Sequence, residues 1–210
     1  MTALVLVRHG ETVWHEEGRY AGTTDISLSP RGLQQAADLG RWARQARPSA
    51  LWASPLGRTQ ATAAPAARAT GLPVRTDPRL RELDFGEAEG RTLAEIEEAF
   101  PDALEHFLRD PVAGHLPSGE PPGEAADRAV ACFEEIAATH EGERVLVVLH
   151  TTLLRLALCR LLGLPLRDYR RRFPIVRNGA LNEIALSEGS CALLQFNAEI
   201  GAGRLGISER

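Results

Sequence analysis

The stretch VLVRHGET, residues 5–12, joins a short apolar run to a group of polar residues that can bind an anion. The apolar run covers residues 4–7 and is rich in β-branched side chains, which favours a strand buried on both faces. A second run of the same kind, VLVVL at residues 145–149, is followed directly by His150, as the first leads into Arg8 and His9. The two runs predict two buried strands that each end at a histidine.

Helical patterns alternate with strand candidates along the rest of the chain. Five helices are predicted: from Ser29 to before Pro48, from about Leu56 to Gly71, from the capping-box sequence at 92–95 onward, over 124–140 and over 153–162. Further strands are predicted at 50–53, 181–186 and 192–196. Pro65 lies inside the second helix and should kink or divide it. Residues 117–123 form a loop rich in proline and glycine.

This alternation predicts an α/β fold, a three-layer sandwich in which a mostly parallel sheet is flanked by helices on both faces. The composition marks no boundary between two cores, so we expect a single domain over residues 1–210. Small ligands bind such sheets beyond the carboxyl ends of the strands. His9 and His150 are both predicted to lie at that edge.

The composition is that of an ordinary globular chain, with 44% hydrophobic and 25% charged residues. Such a chain can bury a core without a metal ion or a disulfide. The three cysteines are widely spaced and form no CxxC pair, so we expect reduced thiols in a cytoplasmic protein. No leader peptide is predicted, and the apolar runs are too short to cross a membrane. No cofactor and no metal site is predicted.

The charged residues argue against nucleic-acid binding and exclude lysine-based catalysis. A net charge of −4 argues against general nucleic-acid binding. The local basic run formed by Arg167, Arg170, Arg171 and Arg172 is interpreted as the solvated face of a helix. All 24 basic residues are arginine, and the absence of lysine excludes a lysine nucleophile or Schiff base.

The polar residues after the first strand suit phosphate chemistry. Arg8 offers planar, bidentate donors, and Gly10 would let the backbone approach an anion closely. His9 can act as a nucleophile or as an acid and base, and Thr12 adds a hydroxyl group. These residue types, placed directly after a buried strand, predict a site for a phosphate group.

The same residues resemble the first motif of the histidine phosphatase superfamily, the phosphoglycerate-mutase-like enzymes. Residues 18–32 (GRYAGTTDISLSPRG), which include Thr23, are similar to the segment that follows the nucleophile in that family. Residues 54–63 (SPLGRTQATA) resemble its second motif and residues 80–90 (LRELDFGEAEG) its third. Residues 146–155 (LVVLHTTLLR) are similar to the segment around its second histidine. The order of the four motifs is that of the family.

The resemblance implies a role for each catalytic residue. His9, kept neutral, would attack the phosphorus, while Arg8, Arg58 and a protonated His150 neutralise the oxygens of the phosphoryl group. Glu82 would protonate the leaving group and then activate water. The implied phosphate-binding set is Arg8, Gly10, Thr12, His15, Thr23, Arg58 and Thr151.

Two of these residues have simpler interpretations when each is considered alone. Arg58 would be a solvated residue at the start of a helix. Glu82 would be a surface carboxylate that pairs with Arg79 or Arg81. The motif context favours the catalytic interpretation of both.

Three positions depart from the family pattern. His15 stands where an asparagine is common, so that its charge would depend on pH. Thr151 and Thr152 replace a usual pair of glycines and add hydroxyl groups beside the pocket. Pro121 replaces a serine that is usual in the loop at 117–124, and we assign that loop no catalytic role.

The sequence favours a metal-independent phosphatase that acts on a small phosphorylated metabolite. Mutases of the family usually have a threonine at the position of Ala21 and a paired-arginine insertion near residues 100–114, where only Arg109 occurs. A phosphoglycerate mutase and a catalytically weakened, anion-binding pseudoenzyme are the alternatives. The identity of the phosphomonoester and the presence of a homodimer are left open by the sequence.

Overall fold

The computed structural model describes residues 1–200 as a six-stranded sheet with helices on both faces. The strands are β1 (Thr2–Arg8), β2 (Ala50–Ala53), β3 (Val74–Thr76), β4 (Arg144–Leu149), β5 (Leu181–Ser187) and β6 (Ser190–Ala198). Their order across the sheet is β3-β2-β4-β1-β5-β6. The pairings among β1, β4, β2 and β3 are parallel, whereas β5 and β6 continue the sheet beside β1 in antiparallel pairings. The predicted, mostly parallel sheet is confirmed.

Helices cover both faces of this sheet. They are α1 (Trp14–Glu17), α2 (Pro30–Ala46), α3 (Gly57–Thr70), α4 (Leu93–Ala99), α5 (Pro101–Arg109), α6 (Pro122–Thr139), α7 (Thr151–Leu161) and α8 (Tyr169–Arg172). Successive side chains of β1 enter different cores, because strand side chains alternate between the two faces. Leu4 and Leu6 pack with residues of α6 and α7, whereas Val5 and Val7 pack with residues of α2 and α3. The three-layer sandwich is therefore confirmed.

Capping chemistry explains where the helices on the two faces begin. The Ser29 hydroxyl accepts a hydrogen bond from the Gly32 N–H at 3.1 Å, and Pro30 is the first residue of α2. Helix α6 begins at Pro122, two residues before the predicted start at Glu124, because proline is favoured in the first turn of a helix. The predicted capping box at 92–95 is present in α4.

Of the two effects predicted for Pro65, a kink or a division of α3, the division does not occur. The helix is continuous from Gly57 to Thr70. The carbonyl group that loses its hydrogen-bond donor belongs to Ala61, an exposed residue, so that water can replace the missing bond. Pro65 also packs against α2, where a Cβ atom on Gly40 would lie 2.9 Å from the Pro65 Cβ. The proline therefore serves the contact between the two helices.

Three further expectations from the sequence concern membrane segments, cysteines and the number of domains. No helix among residues 1–200 is long and apolar enough to cross a lipid bilayer. The cysteines, all within the described part of the chain, are free thiols. The predicted single domain over 1–210 includes residues 201–210, which lie outside the described residues, and it stays a prediction.

Candidate active site

The two histidines predicted to meet at the edge of the sheet do so. Strands β1 and β4 are parallel neighbours with Arg8 opposite Leu149, so the next residue on each strand is a histidine. The His9 N–H donates to the Leu149 carbonyl at 2.9 Å. The centroids of the His9 and His150 rings lie 5.1 Å apart, with the ring planes inclined at 61°. Strand register thus places the histidines side by side.

One nitrogen of His9 is fixed and the other is left available. Nδ1 lies 2.7 Å from the Gly10 carbonyl oxygen. Because a carbonyl can only accept, Nδ1 carries the proton and Nε2 keeps its lone pair. Burial, together with the charges of Arg58 and Arg8, holds the pKa of His9 well below its usual value. His9 is therefore a neutral imidazole with a free Nε2, as a nucleophile requires.

His150 is buried behind His9 and is held by the second motif. Its Nε2 shares a hydrogen bond of 2.9 Å with the Ser54 hydroxyl, and its Nδ1 is buried without a partner. Burial, followed by the charge of Arg58, lowers the pKa of His150 well below its usual value. The cost of burying the charge favours the neutral ring in the ligand-free protein, whereas the prediction of a protonated His150 concerns the protein with a phosphoryl group in the site. A phosphate dianion beside the ring would favour the cation.

Arg8 and His15 form a hydrogen-bonded pair at the edge of the site. The Arg8 guanidinium donates to the Val176 carbonyl at 2.7 Å and to His15 Nε2 at 2.5 Å. Since a guanidinium can only donate, Nε2 accepts, while the Thr12 N–H donates to Nδ1 at 3.0 Å and the Thr12 hydroxyl lies 2.8 Å from the same nitrogen. Burial lowers the pKa of Arg8 to about 10. Burial and the Arg8 charge lower the pKa of His15 to about 4, so His15 is neutral at physiological pH.

The low pKa of His15 predicts how stability depends on pH. The folded-state pKa of about 4 lies below the ordinary value of 6.5, so in that interval the unfolded chain binds a proton that the folded chain does not. The free energy of unfolding should therefore fall as the pH drops through this window. We expect His15→Asn to weaken this pH dependence, measured by urea unfolding at several pH values in the window.

The slope of stability against pH is the relevant quantity, because His15→Asn also changes the contact with Arg8 at every pH. His106→Asn is the matched control, since His106 is exposed and lies outside the site. Equal slopes for wild type and His15→Asn would contradict the assigned state of His15.

Arg58 lies at the start of α3 but is only 1% exposed, so it is not a solvated helix-start residue. Its terminal nitrogens donate to the carbonyls of Gly22 at 2.6 Å and Thr24 at 2.8 Å. Its Nε is buried without a partner. After burial, the charge of Arg58 is the largest influence that lowers the pKa of both His9 and His150. The charge of Arg58 therefore disfavours protonation of both imidazole rings.

Thr23 lies apart from this cluster. Its side chain is exposed, and its backbone N–H and hydroxyl both donate to Glu89 Oε1, at 2.6 Å and 3.2 Å. Glu89 Oε2 accepts from the Thr24 N–H at 3.0 Å, so one carboxylate holds the loop whose carbonyls hold Arg58. These contacts give no support to a phosphate contact for Thr23. They identify Glu89, which the sequence reasoning did not single out, as the residue that organises this loop.

Gly10 is required for a different reason from the one predicted. Its N–H donates to the Thr62 hydroxyl at 2.9 Å and is not directed at an anion site. A Cβ atom on Gly10 would lie 2.6 Å from the Gly32 carbonyl oxygen, at the start of α2. The close approach is therefore between two backbone segments, and the contribution of Gly10 to the site is the carbonyl that orients His9.

Two predicted threonines do line the site. The Thr12 side chain is buried and faces His15. The Thr151 hydroxyl is buried without a partner at the start of α7, directly after His150. Thr151 therefore offers a hydroxyl to a bound ligand, whereas Thr12 is engaged with its neighbour.

Glu82 is held by backbone N–H groups, and no arginine of residues 1–200 forms an ion pair with it. Its Oε1 accepts from Leu83 at 2.9 Å and Leu153 at 2.8 Å, and its Oε2 accepts from Thr152 at 3.0 Å. The last two donors belong to the first turn of α7, where helix N–H groups lack intrahelical partners. Glu82 is 3% exposed, so the surface interpretation does not hold. The pairing with Arg79 or Arg81 that the surface interpretation required is absent among the described ion pairs.

A cavity of about 300 Å³ opens over His9 and Glu82. The sequence reasoning named some of its lining residues as site residues but missed many of the others. The missed lining residues include Trp14, Arg19, Tyr20, Phe85, Phe107, Arg155, Tyr169 and Arg170. Arg170 is exposed, as the interpretation of its basic run as a solvated face expects, but its guanidinium carbon also lies 5.1 Å from the centre of the Phe107 ring, which lines the cavity.

Unpartnered polar atoms are concentrated around this cavity. Seven buried side-chain nitrogen or oxygen atoms in the described part of the chain have no hydrogen-bond partner, and five belong to residues that line the cavity or lie behind it. The five are Arg8 Nε, Arg58 Nε, His150 Nδ1, Thr151 Oγ1 and Arg155 Nε. Such atoms are costly and normally rare. The arginine nitrogens and the hydroxyl are donors, so a bound oxyanion would supply acceptors for them.

The chain matches the histidine phosphatase superfamily (branch 1) over residues 4–199. It belongs to the histidine phosphatase superfamily. Phosphoserine phosphatase 1 of Hydrogenobacter thermophilus is 34% identical over 169 residues, which cover 80% of each chain. A protein named "Probable phosphoglycerate mutase GpmB" in an Enterobacter species is 38% identical over 191 residues, 90% of this chain and 86% of its own length.

Solved structures of this superfamily share the fold. Bacillus stearothermophilus YhfR superposes with a TM-score of 0.89 at 31% identity, over 95% of this chain and 98% of its own. Among residues 1–200, no group of three or more His, Cys, Asp or Glu side chains is placed to hold a metal ion. The phosphatase and mutase names among the relatives leave the activity of this member to be derived from its own site.

Proposed function

We propose that this protein is a metal-independent phosphomonoesterase, in the cytoplasm, whose reaction passes through a phosphohistidine on His9. The observation that carries the proposal is the state of the His9 ring. Its Nδ1–H is bound to the Gly10 carbonyl, its pKa is lowered, and the residue lines a cavity that several arginines also line. A neutral, oriented imidazole beside cationic donors suits attack on a phosphate dianion.

In the first half-reaction, the lone pair of His9 Nε2 forms a bond to phosphorus, and the bond from phosphorus to the ester oxygen breaks. Arg8, Arg58 and Thr151 supply donors for the phosphoryl oxygens, and His150 adds a charge when the dianion raises its pKa. The leaving oxygen takes a proton from Glu82. The products are a free alcohol and phosphohistidine.

In the second half-reaction, Glu82 accepts a proton from water as the water oxygen bonds to phosphorus. The bond from phosphorus to Nε2 breaks and orthophosphate is released. Glu82 suits both steps because it lies on the cavity wall, held in place by three backbone N–H groups. The carboxyl group ends the cycle protonated, as it began.

The relatives named as mutases make phosphoglycerate mutase the second candidate. A mutase must keep the phosphoenzyme away from water and return the phosphoryl group to a second oxygen. Two features support hydrolysis here. Ala21, at the position of the mutase threonine, lines the cavity without a hydroxyl, and Arg109, the one arginine at 100–114, is exposed and outside the cavity lining.

A product assay distinguishes the two activities. With 3-phosphoglycerate as substrate in the presence of EDTA, we expect orthophosphate to appear in step with the loss of substrate. Accumulation of 2-phosphoglycerate without orthophosphate would establish the mutase instead. A strict requirement for an added metal ion would contradict the mechanism. Failure to turn over this substrate, p-nitrophenyl phosphate or any other phosphomonoester would favour the anion-binding pseudoenzyme.

A further inference from the structure

Ser54 is a buried residue that the proposed mechanism does not use, and the sheet places it beside His150. It comes directly after β2, and its N–H donates to the Val148 carbonyl on β4 at 3.1 Å. His150 comes directly after β4. Pairing of the two strands therefore brings the two side chains together, with the Ser54 hydroxyl 2.9 Å from His150 Nε2.

The turn that follows Ser54 fixes its main chain. The Ser54 carbonyl accepts from the Thr59 hydroxyl at 2.8 Å and from the Gln60 side-chain amide at 2.6 Å. The Thr59 hydroxyl also lies 2.6 Å from the Leu56 carbonyl oxygen. None of these contacts uses the Ser54 hydroxyl, which therefore stays available to the imidazole ring.

The proton of this hydroxyl can be assigned by counting partners. The Ser54 oxygen accepts from the Leu56 N–H at 3.3 Å. Among residues 1–200, His150 Nε2 is the one acceptor within hydrogen-bond distance of the hydroxyl. Because a buried donor without an acceptor is costly, the hydroxyl donates to Nε2. Burial lowers the pKa of His150 and keeps the ring neutral in the ligand-free protein, so the single ring proton is on Nδ1.

His150 Nδ1 has no acceptor among the described residues. His150 is the N-cap residue of α7, a position where a side chain often accepts from N–H groups of the first helical turn. The N–H groups of Thr152 and Leu153 donate to Glu82 instead. Nδ1–H is therefore an unused donor, as are the arginine nitrogens and the Thr151 hydroxyl around the cavity.

We propose that Ser54 is a positioning residue for phosphoryl transfer, whose hydroxyl directs the Nδ1–H group of His150 to an oxygen of the phosphoryl group bound at His9. This inference rests on the proposed function. The centroids of the two imidazole rings lie 5.1 Å apart, so a phosphoryl group on His9 lies beside the His150 ring. A hydroxyl can donate to the neutral ring and, after rotation, accept from the cation. Nδ1 therefore stays the donor to the ligand in both charge states of His150.

The tautomer of His150 tests the proposal directly. NMR spectra of wild-type protein with isotopically labelled histidine nitrogens should show His150 protonated at Nδ1 and unprotonated at Nε2. Loss of the signal in His150→Asn identifies it. Addition of orthophosphate should leave Nδ1 protonated and shift the resonance of its proton. In Ser54→Ala the preference for Nδ1 should be lost, because the hydrogen bond at one ring nitrogen decides which nitrogen carries the proton. A wild-type ring with its proton on Nε2 alone would overturn the inference.

Kinetics distinguish a positioning role from a general structural one. Ser54→Ala should lower kcat and kcat/KM for p-nitrophenyl phosphate equally, by about 10- to 100-fold, since a hydrogen bond to a charged group in the transition state has this value. Ser54→Thr keeps the hydroxyl and should restore most of the activity. Thr59→Val is the matched control, because it removes a buried hydroxyl from the same turn that does not touch His150. Equal losses in Ser54→Ala and Thr59→Val would assign Ser54 a structural role and overturn the inference.

The inference and the proposed function can fail separately, because the tautomer measurement needs no turnover. Suppose that His150 is protonated at Nδ1 and responds to orthophosphate, but the protein hydrolyses no phosphomonoester. This result would support the directed donor and contradict only the phosphatase. Hydrolysis of p-nitrophenyl phosphate by a wild type whose His150 proton is on Nε2 would overturn the role of Ser54 and leave the phosphatase intact.

Discussion

Replacing His9 with alanine is expected to lower the kcat for p-nitrophenyl phosphate by about 10⁴-fold or more, because removal of a nucleophile has effects of this size in other enzymes. The His9 ring is the acceptor of the phosphoryl group, and His150 cannot replace it, since His150 is fully buried and is not part of the cavity lining. The measurement is steady-state hydrolysis in EDTA. A phosphohistidine trapped by rapid acid-free quenching should appear in the wild type and be missing in the variant.

His106→Ala is the control for this experiment, because it removes an exposed histidine that is outside the cavity lining. It should retain wild-type activity. Cooperative thermal unfolding and an unchanged circular dichroism spectrum would show that His9→Ala is folded. Activity of folded His9→Ala within about tenfold of wild type would refute covalent catalysis by His9.

Glu82→Gln is expected to have the second largest effect, and its size should depend on the leaving group. An alkoxide leaves only when protonated, so kcat for 3-phosphoglycerate should fall by about 10²- to 10³-fold. p-Nitrophenolate is stable without a proton, so the loss for its ester should be about tenfold or less. The measurement is kcat for both substrates under identical conditions.

The role of Glu82 in holding α7 requires a structural control. A glutamine keeps one oxygen acceptor but turns an amide nitrogen toward a backbone N–H, such as that of Thr152. Glu89→Gln makes the same change in a carboxylate that also holds backbone N–H groups, outside the cavity. Comparable losses of kcat for aryl and alkyl substrates in Glu82→Gln would show that distortion of α7, and not a missing acid, accounts for the effect.

The sequence predicted the centre of the site because its residues are fixed by local patterns. His9 and His150 follow apolar runs that have no stable place except the middle of a sheet, and parallel pairing brings the ends of such strands together. Arg58 and Glu82 were assigned by motif resemblance, and both are buried, which excludes the solvated and surface interpretations considered for each alone. For these residues, local sequence and tertiary position agree.

The other residues that line the cavity were not predictable in the same way. Phe107 lies on α5, an element that the sequence analysis did not identify, and Arg170 lies in a single turn of helix. Arg155 has no local signal that distinguishes it from other arginines on helices. These side chains meet only through packing of separate segments, so no pattern within one segment could indicate it. Strand β3 was missed because three residues are too few for a periodic pattern.

Charge states were the other limit of the sequence analysis. The cation predicted at His150 during phosphoryl transfer and the undecided charge of His15 both depend on how far each ring is removed from water. Burial lowers the pKa of both groups in the ligand-free protein. Residue identity gives a reference pKa, whereas the fold decides the direction of the shift.

The unpartnered polar atoms around the cavity have a consequence for the rate at which such an enzyme works in a cell. The donors on Arg8, Arg58 and Thr151 cannot distinguish the phosphoryl group of an ester from free orthophosphate, since both present the same oxygens. The hydrogen bonds that stabilise bound substrate therefore also stabilise bound orthophosphate, the product. We therefore expect orthophosphate to compete with substrate, so that throughput is set by the phosphate content of the surroundings as well as by the supply of ester.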